Sequence, residues 1–152
     1  MASAIRMYSH GGPEVLQLVD VEIAGPGPGE ARIRHVAVGL NFADTYFRSG
    51  LYPAKLPTGL GVEASGVIEA VGPDVIDFSP GDRVTYTGSP LGAYSTERTM
   101  PTGLVGELFD HVASRRIDVE INQRYRLDDA AQAHRDLEAR RTTGSSIFDL
   151  TF

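Results

Sequence analysis

The amino-acid sequence predicts a mainly β fold with a few helices, of the α+β class, in a single domain of 152 residues. Two observations carry this prediction. Up to about residue 100 the apolar residues come in short runs separated by glycine and proline, and past residue 103 they recur at helical spacing. Short strands joined by tight turns followed by helices indicate a small barrel or sandwich with helices added after it.

Five short apolar runs predict the strands of the first part, because β-branched residues suit a pleated, half-buried surface. In chain order the runs are AIRMY, LQLVDVEI, ARIRHVAVGL, SGVIEAV and DRVTY. Between them lie GGP, GPGPG, VGP and SPGD, whose glycine and proline residues supply turn dihedral angles. The first hundred residues therefore read as strands and turns.

Two helices and two more strands are predicted in the last third of the chain. The first helix ends at Arg115 and Arg116, where cations oppose the helix dipole. Its apolar face consists of Leu104, Val105, Leu108, Phe109 and Val112. The second helix begins at the N-cap Asp128 and ends before Gly144. Its apolar side consists of Leu127, Ala130, His134 and Leu137. The stretches VEINQRY and SSIFDL predict the two strands.

The composition excludes several classes of function. The chain contains no cysteine, which excludes disulfides, thiolate metal sites and thiol nucleophiles. A formal net charge of −6 argues against nucleic-acid binding, which needs a basic surface. The sequence has neither a run of about 18 apolar residues nor a secretion signal, so we expect no membrane association and a cytoplasmic location.

The segment NFADTYFRSGLY, residues 41–52, gathers five polar side chains directly after an apolar strand. A structural interpretation explains three of them: Asn41 caps a short helix with Asp44 at position N3, and Asp44 forms an i,i+4 ion pair with Arg48. A functional interpretation explains Tyr46 and Tyr52. Their phenols can hydrogen-bond a developing oxyanion while their rings stack on a flat substrate, and an amide such as that of Asn41 can orient a bound ring.

Two other patterns argue against particular sites. Gly59, Gly61 and Gly66 permit unusual dihedral angles or close backbone contacts. Their segment leads into a strand, whereas a dinucleotide fingerprint opens into a helix, so it predicts no phosphate site. The histidines share no metal-ligand spacing and are interpreted as surface or core residues, so no metal site is predicted. They are His10, His35, His111 and His134.

Several segments carry a resemblance to a known family. They are SHGGPEVLQ, GLNFADTYFRSGLYP, PTGLGVEASGVIEAVGPDV, SPGDRVTY and GAYSTE. In this order they resemble the catalytic domain of NADPH-dependent quinone oxidoreductases of the medium-chain dehydrogenase/reductase superfamily. The stretch from GELFDHV to GSSI resembles the extreme C-terminus of the same enzymes. The resemblance implies a GroES-like, partly open β-barrel built from residues 1–101 and 107–152.

In the enzymes that the chain resembles, a Rossmann domain that binds the dinucleotide separates these two blocks. Here residues 102–106 stand in its place, and the abrupt junction favours an engineered excision over natural loss. The resemblance therefore implies no Rossmann domain, no bound cofactor although the family uses NADPH, and little or no hydride transfer. Zinc-dependent relatives have a cysteine and a histidine where this chain has Asn41 and Val62, which implies the zinc-free branch.

The resemblance also implies a role for each residue of the site. Asn41 would lie beside the nicotinamide, and Tyr46 and Tyr52 would line the cleft where a quinone ring meets the hydride donor. Asp44 and Arg48 would support them. Arg140 would face the cofactor phosphates, so that the cofactor-binding set is Asn41, Tyr52 and Arg140. With one wall of the cleft absent, these roles are vestigial.

A second hypothesis is a self-standing binding or assembly module of GroES-like fold, either co-chaperonin-like or a binder of aromatic ligands through Phe42, Tyr46 and Tyr52. Under either hypothesis a quinone-like molecule binds at most weakly. Apolar surface that a cofactor domain would cover predicts a monomer or non-native self-association.

Overall fold

The backbone forms two β-sheets and two α-helices over the residues that the structure describes, 1–88, 90–106 and 119–151. This computed structural model contains the strands β1 (Ala2–Met7), β2 (Gln17–Val21), β3 (Glu30–Leu40), β4 (Thr58–Gly59), β5 (Glu63–Val71), β6 (Arg83–Thr87), β7 (Glu97–Pro101), β8 (Val105–Gly106), β9 (Ile121–Tyr125) and β10 (Ser145–Asp149). The α-helices are α1 (Phe42–Ser49) and α2 (Ala130–Glu138). The mainly β, α+β class is confirmed, with the described strands forming two sheets rather than a closed barrel.

The long strand β3 is the centre of the larger sheet. One side of β3 pairs with β5 from Ala31 to Val38. The other side is shared, because Glu30 to Arg34 pair with β7 and Ala37 to Leu40 pair with β10. Strands β6 and β8 extend this sheet beyond β5, and β9 extends it beyond β10. The smaller sheet has the order β2-β1-β4.

The apolar pattern of β3 changes phase at a bulge. Ala31, Ile33 and His35 are buried on alternate positions, as expected for a strand with one face in the core. The pairing with β5 shifts between His35 and Ala37, and burial resumes at Val38 and then Leu40. An extra residue at a bulge restores the inward direction of the following side chains. Both halves of β3 therefore face the same core.

The chain around Tyr94 joins the two sheets. The backbone N–H of Ile5 in β1 donates to the carbonyl of Tyr94 at 2.8 Å, and that of Thr96 donates to Ser3 at 2.8 Å. The N–H of His35 in β3 donates to the carbonyl of Thr96, also at 2.8 Å. This short segment is thus bonded to both sheets and carries the fully buried ring of Tyr94 into the space between them.

The helix α1 follows β3 directly and begins at the N-cap that its sequence predicts. Asn41 is the N-cap, and Asp44 at N3 completes a capping box. Gly50 ends the helix with φ 86°, a left-handed conformation that glycine adopts without steric cost. Among the described helices, neither has the length and apolar character needed to cross a membrane.

The helix α2 differs from its prediction at both ends. A 3₁₀ turn over Leu127–Asp129 precedes it, so the N-cap is Asp129 rather than Asp128. The helix ends at Glu138 because Arg140 takes a left-handed conformation with φ 54°, and Gly144 stands just before β10. The segment from β9 through α2 to β10 is a βαβ unit, since β9 and β10 are parallel.

The start of the other predicted helix is also different. Thr102–Leu104 form a 3₁₀ turn, and Val105 belongs to β8, where it pairs with Tyr86 of β6. Pairing with the sheet satisfies the backbone here and replaces the expected first helical turn. The remainder of that helix, from Leu108 to Arg116 and including His111, lies outside the described residues.

A substitution at Gly66 tests the close contact between β3 and β5. A Cβ atom at this position would overlap the carbonyl oxygen of Arg34. Gly66→Ala should lower the free energy of unfolding by about 1–3 kcal/mol, the usual cost of overpacking, as measured by urea denaturation. Gly25→Ala is the matched control, because its Cβ meets nothing within 4 Å. Equal stability of the two variants would contradict this account of the sheet.

Candidate functional site

The helix α1 separates the predicted site residues onto two faces. Asp44 and Arg48 point into the protein and are 0% and 2% exposed. Tyr46 lies on the outer face and is half-buried. Tyr52, in the turn after the helix, is 43% exposed. Asn41 lies where the two groups meet, at the end of β3.

Both ends of the Asn41 residue are held in place. Its backbone N–H donates to Oδ2 of Asp44 at 2.8 Å, one half of the capping box. Its side-chain Nδ2 donates to Oε1 of Glu63, the first residue of β5, at 2.8 Å. The amide therefore has a defined orientation before any ligand arrives.

Arg48 connects three parts of the chain from the interior. Its Nε donates to the carbonyl of Gly11 at 3.1 Å, and its Nη2 forms an ion pair with Oε1 of Glu138 at 2.6 Å. Its Nη1 donates to Nδ1 of His134 at 3.1 Å. The predicted i,i+4 ion pair with Asp44 is wrong, because Glu138 and the buried ring of His134 take its place.

Asp44 instead accepts a hydrogen bond from Tyr94, which lies in the segment that connects the two sheets. The hydroxyl of Tyr94 donates to Oδ2 of Asp44 at 2.9 Å and lies 3.3 Å from Nε2 of His134. Tyr94 and His134 are both 0% exposed, and their rings contact edge to face with centroids 5.9 Å apart. Asp44, Tyr94, His134 and Arg48 thus form one buried polar network, which we call the inner network.

Burial shifts the pKa values inside and beside the inner network. Loss of solvation raises the pKa of Asp44 to about 6, although the donors Asn41 and Tyr94 oppose the rise. Burial and the nearby charge of Arg48 lower the pKa of His134 to about 3. Burial likewise lowers the pKa of His35 in β3 to about 4. Both histidines are therefore neutral at pH 7.

The outer face carries a cluster of aromatic rings. Phe42 and Tyr46 contact edge to face at 5.5 Å between centroids, and Tyr46 contacts Tyr52 in the same way at 5.2 Å. Phe47 packs against Tyr52 at 5.3 Å. The hydroxyl groups of Tyr46 and Tyr52 make no hydrogen bond within the described residues. This outer aromatic cluster consists of Phe42, Tyr46, Phe47 and Tyr52.

A cavity of about 670 Å³ opens beside the outer aromatic cluster. Its wall includes Asn41, Phe42, Glu63, Ile121 and Ser146. Tyr46 and Tyr52, expected to line a cleft, do not belong to its wall. Phe42 lines the cavity and contacts Tyr46, so it connects the cavity to the two tyrosines.

The remaining predicted residue, Arg140, lies apart from this group. It is exposed in the left-handed turn after α2, where its backbone N–H donates to the carbonyl of Leu137 at 3.1 Å, and its side chain makes no hydrogen bond or ion pair with the described residues. The glycine-rich stretch runs from β4 into β5, a strand, so it does not form the strand–turn–helix that holds a pyrophosphate. The described residues therefore do not fit a whole dinucleotide. Nor do three or more potential metal ligands come together anywhere among them.

Sequence reasoning missed three residues that hold the site: Glu63, Tyr94 and Glu138. The contact of Glu63 with Asn41 joins residues 22 positions apart, and Tyr94 contacts Asp44 across 50 positions of the chain. One local signal existed, because Glu138 follows His134 by four positions and so lies on the same face of α2.

The chain is similar to one sequence family and to several enzymes. A family model described as alcohol dehydrogenase GroES-like domain matches residues 27–112. The quinone oxidoreductase of Pseudomonas aeruginosa is 58% identical over 96 residues, which make up 62% of this chain and 30% of that protein. The chain thus spans about 30% of the length of the curated relatives it matches.

Two solved structures extend the similarity. The crystal structure of Escherichia coli quinone oxidoreductase complexed with NADPH has a TM-score of 0.66 at 34% identity and covers 80% of this chain and 43% of that chain. The quinone oxidoreductase of Pseudomonas syringae pv. Tomato DC3000 has a TM-score of 0.89 at 24% identity and covers 98% of this chain and 100% of that one. At that identity the second likeness shows the fold alone.

The buried histidines predict a loss of stability in acid. A lowered pKa means that the unfolded chain binds protons more readily, so the stability from His35 and His134 is complete above about pH 6.5 and falls as the pH drops towards 4 and 3. Asp44 acts in the opposite direction, because its raised pKa gives stability that is lost as the pH rises through about 6. The two histidines together outweigh Asp44. The free energy of unfolding should therefore fall by about 2 kcal/mol from pH 7 to pH 5.

Urea denaturation at the two pH values measures this difference. His35→Gln should reduce this fall in the free energy of unfolding, because the variant keeps only one of the two buried histidines. His10→Gln, at an exposed side chain, should leave the difference unchanged. The same pH dependence in the parent and in the His35 variant would contradict the assignment.

Proposed function

The chain belongs to the alcohol dehydrogenase GroES-like domain family, as its sequence segments predict, and from this premise we propose that it is the substrate-side half of a zinc-independent quinone oxidoreductase. It holds the flat ring of a quinone-like molecule weakly against the outer aromatic cluster. By itself it transfers little or no hydride.

The outer aromatic cluster beside Asn41 is the observation that carries this proposal. Phe42 and Tyr52 are 44% and 43% exposed, so their ring faces can receive a flat ligand. The free hydroxyls of Tyr46 and Tyr52 can donate to the carbonyl oxygens that a quinone carries at opposite ends of its ring. The similarity to enzymes named quinone oxidoreductases supports this choice of ligand.

The contact between Asn41 and Glu63 supports zinc independence. Zinc-dependent relatives would have a cysteine at the first of the two positions that Asn41 and Val62 occupy, and a histidine at the second. Here the amide of Asn41 donates to the carboxylate of Glu63 at 2.8 Å, so the two side chains satisfy one another without an ion. The amide of Asn41 and the phenols of Tyr46 and Tyr52 then orient the substrate.

The expected lack of turnover follows from the positioning that hydride transfer needs. Donor and acceptor atoms must be held about 3–3.5 Å apart, and such positioning supplies roughly 7–11 kcal/mol of the barrier reduction. Where related enzymes insert a cofactor domain, residues 102–106 form one 3₁₀ turn and a short strand paired with β6. The chain thus offers a ligand face and leaves the electron donor unpositioned.

A quinone titration tests the ligand face. The chain has six tyrosines and no tryptophan, so tyrosine emission reports binding. A simple benzoquinone should give saturable quenching with a Kd on the order of 1 mM. Tyr46→Phe should weaken binding about two- to tenfold, the value of one neutral hydrogen bond. Tyr125→Phe removes one emitter from β9 and is the matched control; N-acetyltyrosinamide corrects for absorption. Linear quenching without saturation would reject the ligand face.

A steady-state assay tests the absence of turnover. With NADPH and the same quinone, the purified chain should oxidise NADPH no faster than buffer does. An intact quinone oxidoreductase assayed in parallel shows that the conditions support the reaction. A rate close to that of the intact enzyme would overturn the proposal.

A further inference from the structure

A chain of hydrogen bonds runs from Arg48 on the inner face of α1 back to Asn41 at its start. It passes from Nη1 of Arg48 to Nδ1 of His134 at 3.1 Å, and from Nε2 of His134 to the hydroxyl of Tyr94 at 3.3 Å. It continues from that hydroxyl to Oδ2 of Asp44 at 2.9 Å, which also accepts the N–H of Asn41 at 2.8 Å. Each of the three middle side chains is fully buried.

The direction of every donor in this chain is fixed from one end. Arg48 carries only donors, so Nδ1 of His134 must accept. A neutral imidazole with an accepting Nδ1 carries its hydrogen on Nε2, and that hydrogen points at the oxygen of Tyr94. Tyr94 then has its own hydrogen left to donate to Asp44. The carboxylate ends the chain as an acceptor, which is the role that the N–H of Asn41 requires.

We infer that Tyr94 and His134 are positioning residues for Asn41: together with Arg48 and Asp44 they form a one-directional hydrogen-bonded chain that transmits the position of α2 to the residue at the end of β3. Neither residue lines the cavity, and their hydrogen bonds reach Asn41 through Asp44. The benefit of a fixed Asn41 to a ligand rests on the proposed function. The series of hydrogen bonds does not depend on that function.

A second buried histidine–tyrosine pair provides an internal comparison. His35 Nδ1 lies 2.7 Å from the carbonyl oxygen of Ser95, which can only accept, so this ring carries its hydrogen on Nδ1. Its Nε2 then accepts from the hydroxyl of Tyr86 at 3.1 Å. The two histidines are therefore expected in opposite tautomers, and the His35 pair ends on the main chain of the core rather than at Asn41.

Nitrogen-15 NMR of the imidazole rings tests the direction of the chain in the unmodified protein. His134 should show a protonated, pyrrole-like Nε2 and an unprotonated Nδ1, and His35 should show the reverse. This measurement needs no ligand, so it is independent of the proposed function. A proton on Nδ1 of His134 would overturn the inference.

Variants test the transmission to Asn41, read as the backbone and side-chain amide resonances of that residue. Tyr94→Phe removes only the hydroxyl and should shift both resonances. His134→Leu should do the same, whereas His134→Gln should restore the parent positions, because one amide can accept from Arg48 and donate to Tyr94. Tyr86→Phe removes another buried phenol and should leave the Asn41 resonances unshifted.

Each result decides the question. Unshifted Asn41 resonances in a folded Tyr94→Phe protein would refute positioning through Asp44. If that variant fails to fold, the difference between His134→Gln and His134→Leu decides, and equal shifts in those two would refute it. Should the parent bind no quinone, the tautomers and the Asn41 shifts still test the chain, while the proposed function alone fails.

Discussion

The burial of one positive charge organises the structure around the site. Arg48 is 2% exposed, and a guanidinium in the interior is tolerated only when its donors have partners. Those partners come from the turn at Gly11 and from His134 and Glu138 of α2. The turn, α1 and α2 are therefore required to assemble around the same group. The charge stabilises this assembly less than it specifies it, because incorrect packing would leave the charge unpaired.

The central strand supplies the second requirement. Strand β3 pairs with β5 up to Val38 and with β10 up to Leu40, so strands flank its last part on both sides. Asn41 follows immediately and faces Glu63 of the neighbouring strand. The amide thus lies at the meeting point of the sheet, the cavity and the outer aromatic cluster. A rigid base of this kind is what a site needs when the side chain must already point correctly.

Much of this arrangement could be predicted from the sequence, and the failures share one cause. The strands β3 and β5 and the start of α1 follow from local patterns: short apolar runs and the cap Asn41. Contacts between distant residues left no local mark. An i,i+4 ion pair such as that predicted for Asp44 and Arg48 is worth only about 0.3–0.5 kcal/mol on an exposed helix. Both side chains are buried, and there Asp44 bonds to Tyr94 and Arg48 to Glu138 instead.

The placement of the aromatic residues shows the same limit. The resemblance to the quinone oxidoreductases implied that Asn41, Tyr46 and Tyr52 lie along one cleft. On a helix, positions 42 and 46 share a face that differs from that of positions 44 and 48. The tyrosines therefore cluster on the outside, and the cavity takes its walls from strands that sequence spacing could not relate to them.

The pairing of β3 with β10 also orders events during synthesis. Leu40 pairs with Ser146, so the two strands are separated by most of the chain. Closing so large a loop is slow compared with forming the neighbouring hairpin of β1 and β2. During synthesis residues 42–49 leave the ribosome well before Glu138 is added. The guanidinium of Arg48 therefore lacks its ion-pair partner until the last βαβ unit has been made.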